Sequence, residues 1–259
     1  MLAGVRHHKI KEMVDERGTI RVTELSQMLG VTDETIRRDL ERLEGQGKLI
    51  RTHGGAMSTK QEEDDVPHFQ REVINKDEKI SVAKEAIKLI EEGDIIFLDA
   101  SSSALYLARL IPDMRLTVLT NSIQICVVLS GHSKIQVIST GGNLSSRSMS
   151  YVGQVALNTL DSYYVDKLFF SCKGLDEDWG ISDGNELQAL VKQKIIERAT
   201  KRILLLDHSK LGKKAFARIA GCSNIDTIIV DSKTEQDQLD FLKEQGTEIV
   251  LPELVKEAH

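Results

Sequence analysis

Seven short apolar runs beyond residue 90 constrain the fold more than any other feature of this chain. They are rich in valine, isoleucine and leucine, and they read DIIFLD (94–99), RLTVLT (115–120), KIQVIS (134–139), DKLFFS (166–171), RILLLD (202–207), DTIIVD (226–231) and TEIVL (247–251). Helix-like segments separate most of them, and one such segment, KISVAKEAIKLIEEG, precedes the first run. Near-continuous apolar strands that alternate with helices are typical of a parallel sheet covered on both faces. The pattern therefore predicts an α/β domain with a mostly parallel sheet.

The N-terminal part of the chain follows a different pattern, which predicts three helices. Apolar residues recur at helical spacing in residues 2–17. A second helix is predicted in RVTELSQMLG (21–30), with Thr23 as its N-cap and Gly30 at its end. After one further residue, Thr32 can cap a third helix. Two short helices joined this tightly after a longer one indicate a helix-turn-helix.

The third predicted helix has an apolar face and a basic face. On a helical wheel Ile36, Leu40 and Leu43 share one stripe, which must face the other helices. The side chains predicted to contact DNA from this helix are Thr32, Thr35, Arg37, Arg38 and Arg42. A guanidinium suits such a face because it can grip a guanine edge or a phosphate. The alternative is a solvated charged face on which Arg38 pairs with glutamates one turn away.

Charge is distributed unevenly along the chain. The first 60 residues hold 11 Lys and Arg against 9 Asp and Glu, although the whole chain has a formal net charge of -6. A slightly basic head on an acidic body is a weak indication that the head alone contacts nucleic acid.

A predicted hairpin, GKLIRTHGGA (47–56), follows the third helix immediately. This is where a winged helix carries its β wing, which lies along the phosphates of DNA or enters the minor groove. The contacts predicted from the wing are Lys48, Arg51, His53 and Gly54. Together with Gly55, Gly54 would let the backbone approach the phosphates closely.

The stretch TIRRDLERLEGQGKLIRTHGGA (35–56) resembles the DNA-binding signature of the DeoR family of bacterial transcriptional regulators. The resemblance implies a winged helix-turn-helix domain over residues 1–57. Residues 58–76 carry an acidic run and a proline but little apolar periodicity, so they are predicted to form an exposed linker with His68 and Arg71 on its surface. Residues 77–259 are then the domain that binds an effector and forms oligomers.

Small polar residues follow the predicted strands. Because the carboxyl ends of parallel strands share one edge of a sheet, these residues are expected to meet in one crevice. Hydroxyls, glycines and a helix N-terminus there would hold an anion, and lysines, with Arg147, would add full charges. The residues predicted to contact a phosphorylated sugar or polyol are Asp99, Ser101, Ser102, Ser103, Asn121, Gly141, Gly142, Lys173, Glu186, Asp207 and Lys210. Taken one at a time, each has an ordinary alternative as a helix cap, a turn or a surface residue.

The body of the chain also resembles the C-terminal effector domain of the DeoR family. That domain is similar in fold to ribose-5-phosphate isomerase and glucosamine-6-phosphate deaminase. The matching segments are 99–103, 120–122, 141–142 and 207–210. The resemblance further implies that Asp183, Glu186 and Lys192 lie near the pocket.

Two functions remain open at this point. The first is a repressor of a carbohydrate catabolic operon that binds double-stranded operator DNA as a homodimer or homotetramer and is released by a phosphorylated sugar. The second is a sugar-phosphate isomerase or deaminase with an accessory head, for which Asp99, Asp183 or Glu186 would supply the general base. No compact catalytic constellation stands out, so the sequence favours the regulator.

Composition excludes several other classes of site. The three cysteines, Cys126, Cys172 and Cys222, are far apart and form no CxxC or Cys/His cluster, so we expect buried reduced thiols and neither a disulfide framework nor a zinc site. No cofactor is predicted. The start of the chain lacks the apolar core of a signal peptide and no run approaches the length of a membrane span, so a cytoplasmic location is expected.

Overall fold

The computed structural model describes residues 3–17, 19–52, 54–58 and 67–252. The chain divides into two compact units with the boundary between Val66 and Pro67. The elements of the N-terminal unit are α1 (Ala3–Arg17), β1 (Thr19–Arg21), α2 (Val22–Leu29), α3 (Asp33–Gly45), β2 (Leu49–Thr52) and β3 (Gly55–Ser58). Apolar side chains from all three helices form its core, among them Ile10, Leu25 and Leu40.

The ends of the short helices follow the sequence in most details. Gly30 ends α2 in the left-handed conformation, with φ of 64°. The Thr32 side chain accepts a hydrogen bond from the Thr35 amide and so caps α3 as predicted. The predicted cap of α2 is wrong, because Arg21 occupies the N-cap position and Thr23 lies inside the helix. Since β1 leads directly into α2, this helix begins two residues earlier than it would with Thr23 as its N-cap.

The wing contains a third strand that the sequence pattern did not reveal. The three antiparallel strands lie in the order β1-β3-β2, and Arg21 of β1 pairs with Gly55 of β3. A Cβ atom on Gly55 would stand 2.0 Å from the carbonyl oxygen of Ile20. Gly55 therefore permits close contact between strands of the wing itself, rather than the approach to phosphates that the sequence suggested.

The C-terminal unit alternates helices with strands. Its helices are α4 (His68–Val73), α5 (Lys76–Ala86), α6 (Ser102–Leu110), α7 (Ile123–Leu129), α8 (Gln154–Asp161), α9 (Glu186–Ile196) and α10 (Gln236–Glu244). Its strands are β4 (Ile95–Leu98), β5 (Leu116–Thr120), β6 (Ile135–Ser139), β7 (Asn143–Ser145), β8 (Ser150–Val152), β9 (Val165–Phe170), β10 (Gly174–Asp176), β11 (Gly180–Asp183), β12 (Ala199–Leu206), β13 (Ala217–Ala220), β14 (Thr227–Val230) and β15 (Glu248–Val250).

All seven predicted strands form one parallel sheet, in the order β15-β14-β12-β9-β4-β5-β6. Neighbouring residues of a strand enter cores on opposite faces, as Phe97 and Leu98 do. Both faces are therefore covered, as the apolar runs predicted. After β4 the chain adds strands on one side of it, and β9 then returns to the other side. The gap between the ends of β4 and β9 is thus the point at which the strand order reverses, where ligand crevices form in such sheets.

Two small antiparallel additions extend this unit. One is the hairpin β7-β8, and the other is a three-stranded sheet in the order β10-β11-β13. These strands are only three or four residues long. Their short polar and glycine-rich sequences gave no strand signal.

The segment 67–75, which we call the strap, differs from the predicted exposed linker. Its helix α4 contacts α6, where the Tyr106 hydroxyl donates a hydrogen bond of 2.9 Å to the Glu72 carbonyl. His68 is only 1% exposed, so its predicted surface position is wrong, whereas Arg71 is half-buried. The buried side chain of this short helix is polar, and apolar periodicity therefore did not reveal it.

Buried thiols are confirmed at two of three positions. Cys172 and Cys222 are buried, whereas Cys126 is partly exposed, and all three are free. Burial raises the pKa of Cys172 to about 12, so this thiol is unreactive. Within the described residues, no helix is both long and apolar enough to cross a membrane, and no group of three or more His, Cys, Asp or Glu side chains is arranged for a metal ion.

Candidate DNA-binding and effector sites

The helix α3 presents the two faces that the sequence predicts. Ile36, Leu40 and Leu43 are buried in the core of the N-terminal unit. On the other face, Arg37, Arg38 and Arg42 are exposed, and Thr35 is half-exposed. Arg38 also makes the alternative pair, with its Nε 3.4 Å from Glu34 Oε1. Both partners of that pair are mostly exposed, so it contributes little to stability and leaves the arginine accessible.

A buried ion cluster that sequence reasoning missed fixes α1 against α3. Asp39 is 6% exposed and accepts hydrogen bonds from Arg6, with an Nε to Oδ2 distance of 2.5 Å. His7 Nε2 lies 2.8 Å from the other carboxylate oxygen. Burial opposes ionisation of Asp39, but the hydrogen bonds from Arg6 and His7 hold its pKa below the ordinary value. The cluster sets the orientation of the exposed arginine face, and an aspartate one residue from the apolar stripe was the available signal.

The predicted DNA-contacting residues of the wing lie on the surface, as far as the structure describes them. Lys48, Arg51 and Gly54 are exposed, and the Arg51 amide donates a 3.0 Å hydrogen bond to Glu44 Oε1. The Gly54 carbonyl accepts from the Val22 amide at 2.9 Å, which connects the wing to the start of α2. His53, also predicted to contact DNA, lies outside the described residues.

In the C-terminal unit, the carboxyl edge of the main sheet gathers most of the predicted effector residues. Leu98 pairs with Thr120, and Thr120 pairs with Ser139, so the residues after these strands lie side by side. Leu98 also pairs with Phe169, one residue before the end of β9, and Phe170 at that end pairs with Leu204, so β12 extends two residues further. Residues that immediately follow the strands are Asp99, Asn121, Thr140, Ser171 and Asp207.

Asp99 and Asp183 share one buried lysine at this edge. Lys192 Nζ of α9 lies 2.5 Å from Asp183 Oδ2 and 3.4 Å from Asp99 Oδ2. Asp99 also accepts from the amides of Ser101 and Ser171. Burial opposes the charge on Lys192, but the two carboxylates hold its pKa above the ordinary value. Through Lys192 and these amide hydrogen bonds, Asp99 connects β4, the end of β9 and α9 at the carboxyl edge of the sheet.

A second group, centred on Asp207, lies at the end of β12. Asp207 Oδ1 accepts from Asn75 Nδ2 at 2.9 Å and from the Ser209 amide and hydroxyl. Lys210 Nζ lies 3.4 Å from Asp207 Oδ2 and donates to Ser171 Oγ at 2.7 Å. Burial opposes the charge, yet Lys210 and these hydrogen bonds lower the pKa of Asp207 to about 2. Lys210 thus reaches from β12 to the end of β9.

Lys79, which sequence reasoning also missed, adds a buried cation to this group. Its ammonium donates to the carbonyls of Arg71 and Ile74, both at 2.5 Å, and no carboxylate of the described residues lies within 4.0 Å of it. Burial, followed by the nearby cations Lys210, Arg71 and Lys173, lowers the pKa of Lys79 to about 8, although the charge of Asp207 opposes this shift. Cations at this edge therefore outnumber the carboxylates close to them, and an anion would relieve their repulsion.

The serine loop and Asn121 complete the edge. Ser101 caps α6 through a 3.1 Å hydrogen bond from the Ala104 amide, and Ser102 and Ser103 are buried in its first turn. Asn121 donates to the Tyr151 carbonyl, but its buried Oδ1 has no hydrogen-bond partner within the described part of the chain. An acceptor left in this state suits a ligand hydroxyl, because an unsatisfied buried polar atom is costly.

The remaining predicted residues lie further out. Gly141 and Gly142 follow β6 with φ of 60° and 115°, and a Cβ on Gly142 would meet the Val152 carbonyl at 2.7 Å. Lys173 is half-exposed after β9, and Glu186 is exposed in the first turn of α9. The backbone at Gly142 therefore leaves no room for a side chain, whether or not a ligand binds. Glu186 is exposed, unlike the buried Asp99 and Asp207.

Comparison with known proteins follows the same division of the chain. A model of the DeoR-like helix-turn-helix domain matches residues 6–62, and a model of the DeoR C terminal sensor domain matches residues 74–232. The chain belongs to the DeoR family. It is a transcriptional regulator with a helix-turn-helix domain followed by a sensor domain.

Similar full-length regulators support this assignment. The HTH-type transcriptional regulator YulB of Bacillus subtilis (strain 168) is 44% identical over 256 residues, which cover 99% of each chain. The L-fucose operon activator of Escherichia coli (strain K12) is 36% identical over 90% of this chain and 96% of the relative. Among solved structures, ribose 5-phosphate isomerase A of Methanocaldococcus jannaschii matches 53% of this chain and 55% of its own, with 22% identity and a TM-score of 0.40.

The isomerase or deaminase alternative is not favoured for this regulator. Its named relatives are transcriptional regulators. Burial alone would raise the pKa of Asp183, but Lys192 holds it below the ordinary value. A carboxylate in this state is a weak general base. Of the other two predicted bases, Asp99 is buried and lies 3.4 Å from the same lysine, and Glu186 is exposed.

Proposed function

We propose that this regulator represses a carbohydrate catabolic operon and is released from its operator by a phosphorylated sugar or polyol. The observation that carries the proposal is the cation group at the carboxyl edge of the main sheet, where the charges of Lys210 and Lys173 both act on the buried ammonium of Lys79. Such a group favours a multiply charged anion. Phosphorylated intermediates of sugar breakdown supply that charge together with several hydroxyls.

The effector contacts divide by chemistry. The phosphate interacts with the lysines and with the N-terminus of α6, where Ser101, Ser102 and Ser103 lie. The sugar hydroxyls interact with Asn121 Oδ1 and with the carboxylate of Asp207. The proposal gives Asp99 and Asp183 a positioning role through Lys192. Gly141, Gly142 and Glu186 form the outer boundary of the site.

On DNA, α3 is the recognition helix. Thr35, Arg37 and Arg38 of its N-terminal half contact bases in the major groove, Thr32 preserves the cap, and Arg42 contacts the backbone. The wing contacts phosphates through Lys48, Arg51, His53 and the backbone at Gly54. One such unit makes few contacts, so operator specificity requires at least a dimer, and we propose a homodimer or homotetramer.

The test uses the full-length chain and a fragment of the promoter region beside its own gene. Fluorescence anisotropy gives the affinity for this DNA with and without inorganic phosphate, glycerol 3-phosphate, ribose 5-phosphate, glucose 6-phosphate, fructose 1-phosphate and fructose 6-phosphate. The proposal predicts that at least one sugar phosphate weakens binding about tenfold or more, and that Lys210→Gln loses this response while retaining DNA binding.

A transcription assay with the same DNA determines the direction of regulation. Repression predicts less transcript with the protein alone and recovery when the active sugar phosphate is added. More transcript in the presence of the protein would show an activator, as the name of the Escherichia coli relative states for that protein. No change in DNA affinity with any compound would contradict the proposed effector class.

A further inference from the structure

The strap crosses the carboxyl edge of the main sheet and is attached there at three points. The His68 amide donates to the Arg147 carbonyl, beyond β7, at 2.9 Å. The Glu72 carbonyl accepts from Tyr106 of α6 at 2.9 Å. Asn75, with φ of 49°, donates to Asp207 Oδ1 after β12 at 2.9 Å. The strap therefore spans the crevice in which the proposed effector binds.

Buried polar atoms without partners accompany the strap at this edge. Both ring nitrogens of His68 and the Nε of Arg71 are buried and have no hydrogen-bond partner within the described residues, as is also true of Asn121 Oδ1. His68 and Asn121 are each only 1% exposed. Native proteins satisfy nearly all such atoms, so several of them along one edge of the sheet indicate a site for a polar ligand.

The charge state of His68 indicates which ligand group it would contact. Burial, together with the charge of Arg71, lowers the pKa of His68 to about 4, although Glu72 and Asp99 oppose this shift. The imidazole is therefore neutral near pH 7, with one nitrogen as a donor and the other as an acceptor. A hydroxyl group has the same pair of properties, which makes a sugar hydroxyl the matching partner. A phosphate needs only donors and would satisfy one of the two nitrogens.

Arg71 is close to the proposed phosphate site. The Lys79 ammonium donates to the Arg71 carbonyl at 2.5 Å, and the charges of Arg71 and Lys210 both act on that ammonium. No carboxylate of the described residues lies within 4.0 Å of the Arg71 guanidinium, whereas the Arg109 guanidinium on α6 pairs with Glu72 at 2.7 Å. Arg71 thus adds a guanidinium without a carboxylate partner to the lysines at this edge.

We propose that the strap is part of the effector site, with His68 contacting a sugar hydroxyl and Arg71 contacting the phosphate. This inference rests on the proposed function. Because the strap begins at the boundary of the N-terminal unit, an effector held by these two residues acts directly on the segment that leads to the DNA-binding helices. The Lys79 ammonium, which holds the end of α4, is then shared between the strap and the phosphate.

The test measures binding of two kinds of probe to full-length variants by calorimetry. Inorganic phosphate probes the anion site, and the panel of the five phosphorylated sugars and polyols named above identifies the sugar phosphate that binds wild type most tightly. His68→Phe should bind that sugar phosphate at least tenfold more weakly and leave phosphate affinity within twofold, because only hydroxyl contacts are removed. Arg71→Gln should weaken both probes at least tenfold. Gln70→Ala, on the exposed side of the same helix, is the matched control and should change neither.

Thermal unfolding separates binding from folding. Phenylalanine fills the volume of His68 without unsatisfied nitrogens, so His68→Phe should melt at or above the wild-type temperature without ligand. If Lys210→Gln loses binding while His68→Phe and Arg71→Gln both bind like wild type, the strap inference is wrong and the proposed function stands. If wild type binds neither phosphate nor any panel compound, both are wrong.

Discussion

The two units of this regulator carry their functional residues in opposite ways. In the N-terminal unit Arg37, Arg38 and Arg42 are exposed on a helix whose other face is buried. In the C-terminal unit the polar residues of the site are buried and bonded to each other, as Lys192 is to Asp99 and Asp183. A DNA-contacting face can be recognised from local periodicity, because its residues belong to one helix. An enclosed site depends on residues from many elements, so its members share roles in structure and in binding.

The largest expected effect comes from breaking the buried ion group of the C-terminal unit. Lys192→Met leaves the carboxylates of Asp99 and Asp183 without their cation, and we expect a loss of about 3–5 kcal/mol of unfolding free energy. Urea unfolding followed by the fluorescence of Trp179, the single tryptophan, measures it. Lys194→Met on the same helix removes a more exposed pair with Asp161 and should cost less than about 1 kcal/mol. Equal losses in the two variants would contradict the buried role of Lys192.

The corresponding change in the N-terminal unit is Asp39→Asn. It removes the carboxylate that accepts from Arg6 and His7, and we expect α1 and α3 to lose about 2–3 kcal/mol of stability. Because the pKa of Asp39 is lowered in the folded state, this contribution is present above the ordinary aspartate pKa and is lost as pH falls below it. Hydrogen exchange of residues 33–45 measures the effect, with Asp33→Asn as the control. Unchanged protection of α3 would show that the cluster does not fix this helix.

A smaller effect is expected from removing one exposed arginine. Arg38→Ala should weaken operator binding by about 2 kcal/mol if the guanidinium contacts a base, while leaving unfolding unchanged because its pair with Glu34 is exposed. Anisotropy with the promoter fragment and with scrambled DNA of equal length measures the loss of specificity. Arg17→Ala, which removes an exposed pair between Arg17 of α1 and Glu24 of α2, is the control. An equal loss on both DNA molecules would assign Arg38 to phosphate contact rather than base contact.

The smallest expected effect is a pH dependence of effector binding. Lys79 has a folded pKa of about 8, and a bound phosphate would favour its charged form and raise that value. Affinity should therefore be constant below about pH 7.5 and fall by at most about tenfold per pH unit above pH 8. Calorimetry between pH 7 and 9.5 measures this affinity for wild type and for Lys79→Arg. The variant is the control, because arginine stays charged over this whole range. The same fall in the arginine variant would exclude Lys79 as its source.

The same contrast explains what could be predicted from the sequence. All seven strands of the main sheet and the faces of α3 follow from periodicity, because each is a local property of a buried strand or helix. Periodicity did not predict the buried polar residues, because a polar residue can enter a core without any apolar pattern around it. These residues are His68, Lys79 and the group of Arg6, His7 and Asp39. The strap was predicted as a linker for the same reason. The resemblance to a family placed Asp183 and Lys192 near the pocket, but only the structure shows that they bind each other.

In the proposed mechanism, an anion at the sheet edge and the operator at α3 weaken each other's binding. Binding linkage tests this directly, since an effector that weakens DNA binding must itself bind the DNA complex more weakly by the same factor. Calorimetric titration of the most tightly bound sugar phosphate into free protein and into protein saturated with promoter DNA gives the two affinities. We expect the sugar phosphate to bind the DNA complex at least about tenfold more weakly than it binds the free protein. Equal affinities in the two titrations would contradict it.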